Sequence, residues 1–297
     1  MTGQVLRGAS LAARIREEIA TSTLRLTNAG GDPPSLATVL VGRDPAAEAY
    51  RSSIVKTLAR VEIRHQPVDL SVNIDSAQFL ASIRALNDDP SVTGILVLMP
   101  LPDHLPSDLV LEHLSPVKDV DGITPTNAGR LHMGLPSLRP STPQGGIELL
   151  DHYNIPIAGA RAVVIGRSNV VGRPLASLLM QRHATVTVCH RQTVDLASIC
   201  READVLAVAA GHPGLVGPEM VKPDAVVLDF GVNVVDGRIV GDVDFDAVQK
   251  VVAAITPVPG GTGPVTALVL ARNTVAAGFA GRAGDLDDVR LASAAVP

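Results

Sequence analysis

Aromatic residues make up only 2% of the 297-residue chain, and tryptophan is absent. A folded core must therefore be built from Val, Leu, Ile and Ala, which is typical of buried parallel strands covered by helices. Hydrophobic residues account for 46% of the chain and charged residues for 19%, a globular composition rather than a disordered one. The length is sufficient for two domains of ordinary size.

Cysteine is also scarce, since Cys189 and Cys200 are the only two in the sequence. Two cysteines exclude a disulfide framework and a cysteine metal cluster. The eight histidines show no H-x-x-x-H spacing, so no metal site is predicted. No G-x-S-x-G segment is present, which argues against a serine hydrolase.

The chain has no block of basic residues, and its formal net charge is -5. Nucleic acid is therefore not expected as a partner, because phosphate binding needs a positive patch. No apolar run reaches the roughly 18 residues of a membrane span, and the N-terminus lacks the pattern of a signal peptide. We expect a soluble, cytoplasmic protein without a membrane partner.

Apolar periodicity in the first part of the sequence predicts alternating helices and strands. A helix is predicted over residues 11–26, a strand over 35–41, helices over 46–60 and 76–87, and a strand over 94–99. The second helix starts after Asp44-Pro45, because proline is tolerated in a first turn. Residues 115–145 are rich in Pro, Gly, Asp, Thr and Asn, and they are interpreted as a linker or a set of binding loops.

A second alternating series follows in the rest of the chain. The predicted strands are 162–165, 185–189, 203–209 and 225–230, and the predicted helices are 174–182 and 265–280. Residues 282–297 are expected to fray. This alternation predicts an α/β fold with parallel strands and right-handed crossovers.

The segment around Gly166 has the pattern of a strand, a glycine turn and a helix start. A helix N-terminus there suits a pyrophosphate, although an ordinary strand-to-helix turn is the alternative. The next strand ends near Arg191, with no acid at that position. An arginine suits a ribose 2′-phosphate, so Arg191, with Arg167 and Ser168, favours NADP over NAD; a solvated arginine is the alternative.

Several segments in order resemble the methylenetetrahydrofolate dehydrogenase/cyclohydrolase family. They are VGRDP at 41–45 with Tyr50, GILV at 94–97 before PLP at 100–102, PVKDVDG at 116–122, NAG at 127–129, STPQG at 141–145, GRS at 166–168, GDV at 241–243 and TPVPGGTGPVT at 256–266. The resemblance implies an α/β fold of two domains: an N-terminal catalytic domain over 1–139, completed by a C-terminal helix over 266–285, and a Rossmann-like NADP-binding domain over 140–265. It also implies a cleft between the domains and a homodimer.

The same resemblance assigns roles to individual residues. Tyr50 would stack along a folate and Asp121 would bind its pterin, and these two are the candidate catalytic residues. An aromatic face suits a flat pterin, and a carboxylate suits its donor edge. Further substrate contacts would be Leu98, Pro100, Pro259, Gly260, Gly261 and Pro264, and the cofactor contacts would be Gly166, Arg167, Ser168, Arg191 and Val232.

The sequence departs from the family pattern at two positions. The family has a lysine four residues after the tyrosine and a glutamine before Pro-Leu-Pro, and here these are Ile54 and Leu98. In the family this pair is associated with opening of the methenyl ring by water. Lys56 is no obvious substitute, because on a helix it points about 120° away from Tyr50. Ile54 and Leu98 are predicted to form a dry patch, which suits hydride transfer better than water attack.

The resulting hypothesis is that the protein oxidises 5,10-methylenetetrahydrofolate to the methenyl form with NADP. Its cyclohydrolase activity is expected to be weak or absent. NAD is an alternative cofactor. Three other functions remain open: a full bifunctional dehydrogenase/cyclohydrolase, a paralogue that transfers the one-carbon unit to another nucleophile, and a non-catalytic folate-binding protein.

Overall fold

The structure is a computed structural model that describes residues 2–28, 30, 32–284, 286–287 and 289. Its strands are β1 (Gln4–Val5), β2 (Ser35–Val41), β3 (Arg64–Leu70), β4 (Gly94–Val97), β5 (Arg161–Ile165), β6 (Thr185–Cys189), β7 (Val205–Val208), β8 (Val226–Asp229), β9 (Asn233–Val235), β10 (Arg238–Val240) and β11 (Ala254–Ile255). Its α-helices are α1 (Ala9–Asn28), α2 (Pro45–Ala59), α3 (Ser76–Asp88), α4 (Asp108–His113), α5 (Pro125–His132), α6 (Ser141–His152), α7 (Gly172–Gln181), α8 (Leu196–Arg201), α9 (Phe245–Val248) and α10 (Gly263–Ala283), and Pro218–Met220 forms a 3₁₀ turn.

The chain divides into two compact units. One covers residues 14–141 and 267–297 and is called the three-stranded unit here, and the other covers residues 1–13 and 142–266 and is called the six-stranded unit. The predicted two-domain α/β class is confirmed. The predicted domain boundaries, 1–139 for the catalytic domain and 140–265 for the NADP-binding domain, stay a prediction.

The three-stranded unit is built on a parallel sheet in the order β3-β2-β4. The central strand β2 coincides with the strand predicted over 35–41, and all seven of its residues are buried. On one face of the sheet, Ala37 and Val39 pack in a core with Phe79 and Ile83 of α3. Helix α2 starts as predicted, because the Asp44 side chain accepts the Ala47 N–H at 2.8 Å.

The six-stranded unit has a parallel sheet in the order β1-β11-β8-β7-β5-β6. Strand β5 is followed on one side by β6, and the chain then crosses to β7 on the other side. This reversal creates a topological switch point at the carboxyl ends of β5 and β7. In open α/β sheets a ligand crevice forms at such a point.

The predicted linker or set of loops over residues 115–145 was wrong in part. The structure places helix α5 and the start of α6 there, instead of a continuous linker or loop. Strand β3 and the antiparallel hairpin β9-β10 carried no strand prediction. The expected fraying over 282–297 falls for the most part outside the described residues.

None of the helices in the described ranges combines the length and the hydropathy of a membrane span.

Candidate active site

Tyr50 lies on α2 with 38% of the residue exposed. Its hydroxyl end is enclosed, and burial raises the pKa of Tyr50 well above its usual value. The charge of Asp121 adds to this rise in pKa, while hydrogen bonding with the Ser141 hydroxyl opposes it. Tyr50 therefore keeps a neutral hydroxyl beside two polar groups and leaves part of its ring open to a planar ligand.

Asp121 is the centre of this group. Ser141 Oγ donates a hydrogen bond to Asp121 Oδ1 at 3.3 Å, and Ser141 is itself buried. Burial raises the pKa of Asp121 to about 7, the charge of Asp119 adds to the rise, and the bonds from Ser141 oppose it. A carboxyl that titrates near neutral pH is a frequent feature of functional sites.

Asp119 has a different task, although it lies only two residues before Asp121. It is fully buried and accepts hydrogen bonds from the N–H groups of Ile123 (3.1 Å) and Thr124 (2.8 Å) and from Asn127 Nδ2 (2.9 Å). These three donors satisfy its carboxylate, so Asp119 anchors the turn into α5. The resemblance assigned the ligand role to Asp121 alone, and no role was predicted for Asp119 in the same turn.

Gly122 fixes the turn that carries Asp121. Its φ is +61°, and a Cβ atom there would lie 2.4 Å from the Leu138 carbonyl oxygen. Only glycine fits this conformation and this approach.

The two positions that depart from the family pattern are both buried. Ile54 on α2 is 0% exposed and Leu98, just after β4, is 2% exposed, whereas Lys56 lies on an exposed part of α2. Ile54 and Lys56 thus differ in burial, and the predicted direction of Lys56 relative to Tyr50 stays a prediction. Contact between Ile54 and Leu98 stays a prediction, and Pro100 is exposed two residues further on.

The six-stranded unit carries the predicted cofactor residues on loops that follow strand ends. Gly166 to Ser168 follow β5, Arg191 follows β6 and Val232 follows β8, so all lie at the carboxyl edge of one sheet. Arg167, Ser168, Arg191 and Val232 are exposed. This edge also contains the switch point between β5 and β7.

The glycine turn after β5 fits a pyrophosphate. Arg167, Ser168 and Asn169 are exposed residues, and in the described part of the chain their backbone N–H groups donate to no backbone carbonyl. The Ser168 hydroxyl accepts the Val171 N–H at 3.1 Å, which shapes the entry into α7. Free N–H groups ahead of a helix form an anion site.

Gly166→Ala is expected to lower the free energy of unfolding by about 3 kcal/mol. The φ of Gly166 is +125°, and a Cβ atom would lie 2.2 Å from the Ala209 carbonyl oxygen, which is backbone and cannot turn away. Urea unfolding measures the loss. Gly159→Ala is the matched control, because its φ is +79° with no heavy atom within 4 Å; its cost should be only about 1 kcal/mol. Equal losses in both variants would contradict the prediction.

The loop after β11 holds the remaining predicted substrate contacts. Gly261 donates its N–H to the Pro257 carbonyl at 2.8 Å, and Gly8 donates to the Gly260 carbonyl at 3.0 Å. Pro259 is exposed on this loop, and Pro264 is exposed in the first turn of α10. These residues belong to the six-stranded unit, while Tyr50, Leu98, Pro100 and Asp121 belong to the three-stranded unit.

Among the described residues, no group of His, Cys, Asp and Glu is arranged to hold a metal ion.

The fold and these loops define a two-unit α/β protein with a dinucleotide-type switch point. The chain belongs to the tetrahydrofolate dehydrogenase/cyclohydrolase family. The model of the family's catalytic domain matches residues 6–121, and the model of its NAD(P)-binding domain matches residues 140–280. This confirms the resemblance found in the sequence, including a nicotinamide cofactor and a folate substrate class.

Individual relatives agree over most of the chain. The bifunctional protein FolD of Chloroflexus aurantiacus is 49% identical over 278 residues, which cover 93% of this chain and 98% of that one. The crystal structure of the bifunctional enzyme FolD of Campylobacter jejuni is 45% identical with a TM-score of 0.89, and covers 93% of this chain and 98% of that one. The Trypanosoma brucei dehydrogenase-cyclohydrolase, solved with NADP and an inhibitor, is 35% identical with a TM-score of 0.89, over 96% and 99% of the chains.

Proposed function

We propose that this protein oxidises 5,10-methylenetetrahydrofolate to 5,10-methenyltetrahydrofolate with NADP. The observation that carries the proposal is the group of Tyr50, Asp121 and Ser141, which joins a partly open aromatic ring to a carboxyl that titrates near neutral pH. Membership of the family and the NADP complex of the Trypanosoma brucei relative support it.

The chain's own residues bind and orient the reactants. The Tyr50 ring forms a wall for the pterin, and the Asp121 carboxylate accepts hydrogen bonds from the pterin's donor edge. The N–H groups after Gly166 hold the pyrophosphate, and the exposed Arg167 and Arg191 side chains neutralise a 2′-phosphate. When bound, NADP supplies the hydride acceptor, so the protein has to provide alignment rather than a metal or a nucleophile.

The second step, hydrolysis of the methenyl product, is proposed to be weak. Ile54 and Leu98 are buried and carry no polar atom that could activate water. The comparisons favour the opposite, because the bifunctional relatives match over 93% of this chain. The full bifunctional activity is therefore the second candidate function, and it is the better supported by similarity alone.

A paired assay on one preparation tests both candidates. We expect NADPH formation from 5,10-methylenetetrahydrofolate, with methenyl hydrolysis no faster than the buffer-catalysed rate. Hydrolysis as fast as the dehydrogenation would establish the bifunctional enzyme instead. Substrate consumption without NADPH would indicate transfer to another nucleophile, and ligand-induced stabilisation without turnover would indicate a folate-binding protein.

The catalytic efficiency should depend on the ionisation of Asp121. The pKa of Asp121 is raised from 3.8 to about 7, so the carboxyl is protonated below that pH and charged above it. Only the charged form accepts two hydrogen bonds from the pterin. We expect kcat/KM for the folate substrate to rise with pH and to level off above about pH 7.

Ser141→Ala provides the matched test of this pH profile. Hydrogen bonds from the Ser141 hydroxyl and from its backbone N–H both lower the pKa of Asp121. The variant removes the hydroxyl and keeps the backbone N–H, so the midpoint of the profile should move to higher pH by the contribution of the hydroxyl alone. Asp121→Asn should abolish the rise. A profile that keeps its midpoint in Ser141→Ala and its rise in Asp121→Asn would assign the titration to another group.

The oligomeric state follows from the resemblance alone. We propose a homodimer, to be measured by light scattering on the purified protein, and a monomer at micromolar concentration would contradict it. Cytoplasmic placement likewise stays a prediction.

A further inference from the structure

Asp242 is a fully buried carboxylate that binds only the protein's own amide groups. Its Oδ2 accepts the N–H groups of Ala210 (2.7 Å) and Gly211 (2.9 Å), and its Oδ1 accepts the N–H of His212 (2.9 Å) and Nδ2 of Asn233 (2.8 Å). Three successive backbone N–H groups form a concavity that binds anions. In this chain the anion in the concavity is the side chain of Asp242.

Asp229 holds the segment that carries Asp242. It is 2% exposed and accepts the N–H groups of Gly231 (2.8 Å), Asp242 (3.0 Å) and Val243 (3.0 Å). A Cβ atom at Gly241 would lie 1.9 Å from Asp229 Oδ2, so the approach is close enough to require glycine. The two carboxylates therefore form a chain of contacts from the end of β8 to the loop after β7.

That loop lies beside the glycine turn of the dinucleotide site. Ala209 donates its N–H to the Ile165 carbonyl at 2.7 Å, and its own carbonyl oxygen lies 2.2 Å from where a Cβ of Gly166 would be. Asn233, the other partner of Asp242, follows Val232 directly. Asp242 thus binds the loop after β7 and the first residue of β9, and the loop after β7 flanks the switch point.

We infer that Asp242, held in place by Asp229, is a positioning residue for the dinucleotide site. Its carboxylate fixes residues 210–212 against the Gly166 turn and so keeps the crevice formed before the cofactor binds. Pre-formed loops bind more tightly because less ordering is required on binding. The inference rests on the proposed function, since it concerns the same cofactor site, but its structural part can be measured without cofactor.

The direct test is Asp242→Asn in the full chain. An amide presents N–H₂ to at least one backbone donor and so cannot satisfy all four partners. We expect the Kd for NADPH, measured by fluorescence titration, to rise by about tenfold or more. In the cofactor-free protein, the amides of residues 210–212 should exchange with solvent faster than in the wild type.

Asp204→Asn is the matched control, because Asp204 stands at the other end of the same strand, β7. It accepts the Arg161 N–H at 2.7 Å and pairs with Lys222. This variant should lower Tm without changing the Kd for NADPH. Asn233→Ala removes one donor at a half-buried position and serves as the variant that folds if Asp242→Asn does not; its Kd should rise by about threefold.

The inference is overturned if Asp242→Asn binds NADPH with the wild-type Kd, whatever its exchange at 210–212. If Asp242→Asn does not fold, a wild-type Kd in Asn233→Ala overturns it. It is also overturned if Asp204→Asn raises the Kd to the same extent. If the wild type binds no NADPH, the proposed cofactor is wrong. Faster exchange at 210–212 in Asp242→Asn would then still support the structural part of the inference, that Asp242 fixes this loop.

Discussion

Asp121→Ala is expected to lower kcat/KM for the folate substrate by about 100-fold or more, with the Kd for NADPH changed by less than about twofold. Each hydrogen bond from a ligand to a charged group contributes about 1.5–3 kcal/mol, and two such bonds to the pterin account for the loss. NADPH affinity should persist because the residues proposed to bind it lie in the six-stranded unit. Initial rates at varied folate and fluorescence titration with NADPH measure the two quantities.

The same variant should be at least as stable as the wild type. The pKa of Asp121 is raised mainly by burial, which means that its charged form is unfavourable in the folded protein. Ser141 is its donor at 3.3 Å, whereas Asp119 has three donors. Functional groups of this kind are often retained at a cost in stability.

Asp119→Asn is the contrasting variant. It leaves at least one of the donors from Ile123, Thr124 and Asn127 poorly satisfied and should cost about 1–3 kcal/mol of unfolding free energy. Asp88→Asn, at an exposed acid of the same unit, should change neither activity nor stability by a large amount. If Asp121→Ala keeps wild-type kcat/KM, or loses activity only in proportion to a loss of folded protein, the role given to Asp121 is wrong.

Most of the strands that could be read from the sequence are buried apolar runs; β6 is the exception, because it was predicted over 185–189 although most of its residues are exposed. The run at Ser35–Val41 is apolar and ends at Gly42, and all of it is buried in β2. Strand β3 has the sequence RHQPVDL and lies at the edge of its sheet, where charged residues and Pro67 are tolerated. Because only one side of an edge strand is paired, its composition resembles that of a loop.

Helix α5 shows a second limit of sequence reading. Its start carries a usable signal, since Thr124 caps the helix and Pro125 occupies its first turn. The surrounding Pro, Gly and Asp residues outweighed that signal. The predicted loop was therefore wrong where local composition and capping pointed in different directions.

Candidate site residues could be named from the sequence where they stand in recognisable segments, as Tyr50, Asp121 and Gly166 do, and their roles stay predictions. The scaffold of Asp242 was not, although the segment around it was noted, because its partners lie about 30 residues earlier in the chain. Spacing along a sequence does not reveal contacts made across a parallel sheet. The signal that exists is an aspartate at the end of an apolar run, as at Asp229.

Ile54→Lys combined with Leu98→Gln is expected to raise methenyl hydrolysis by about tenfold or more over the wild type. Positioned acid–base groups contribute about 10²–10⁴-fold to proton transfer, and a restored pair should recover part of that. NADP reduction should change by less than about threefold, because hydride transfer depends on alignment rather than on a proton relay. The absorbance of the methenyl form and of NADPH reports both rates on one preparation.

The single variants should behave worse than the pair. Ile54 is 0% exposed, so Ile54→Lys alone places an unpaired ammonium in the core, and Leu98→Gln alone leaves an amide without partners at a cost of about 1–3 kcal/mol. The double variant lets the two groups bond to each other. Its loss of Tm should therefore be smaller than the sum of the losses in the two single variants. Such non-additivity would show that positions 54 and 98 form one pocket.

Leu58→Lys distinguishes an effect specific to the pocket at positions 54 and 98 from the general effect of burying a lysine on α2. Leu58 lies one turn after Ile54 on α2 and is also 0% exposed, so the variant has a comparable desolvation cost at a position with no assigned role. It should lower Tm without raising hydrolysis. Lys56→Ala should leave both wild-type rates unchanged, because Lys56 is exposed. Fast wild-type hydrolysis that survives Lys56→Ala would show that residues other than Ile54, Leu98 and Lys56 activate water, and the bifunctional activity would then belong to this chain.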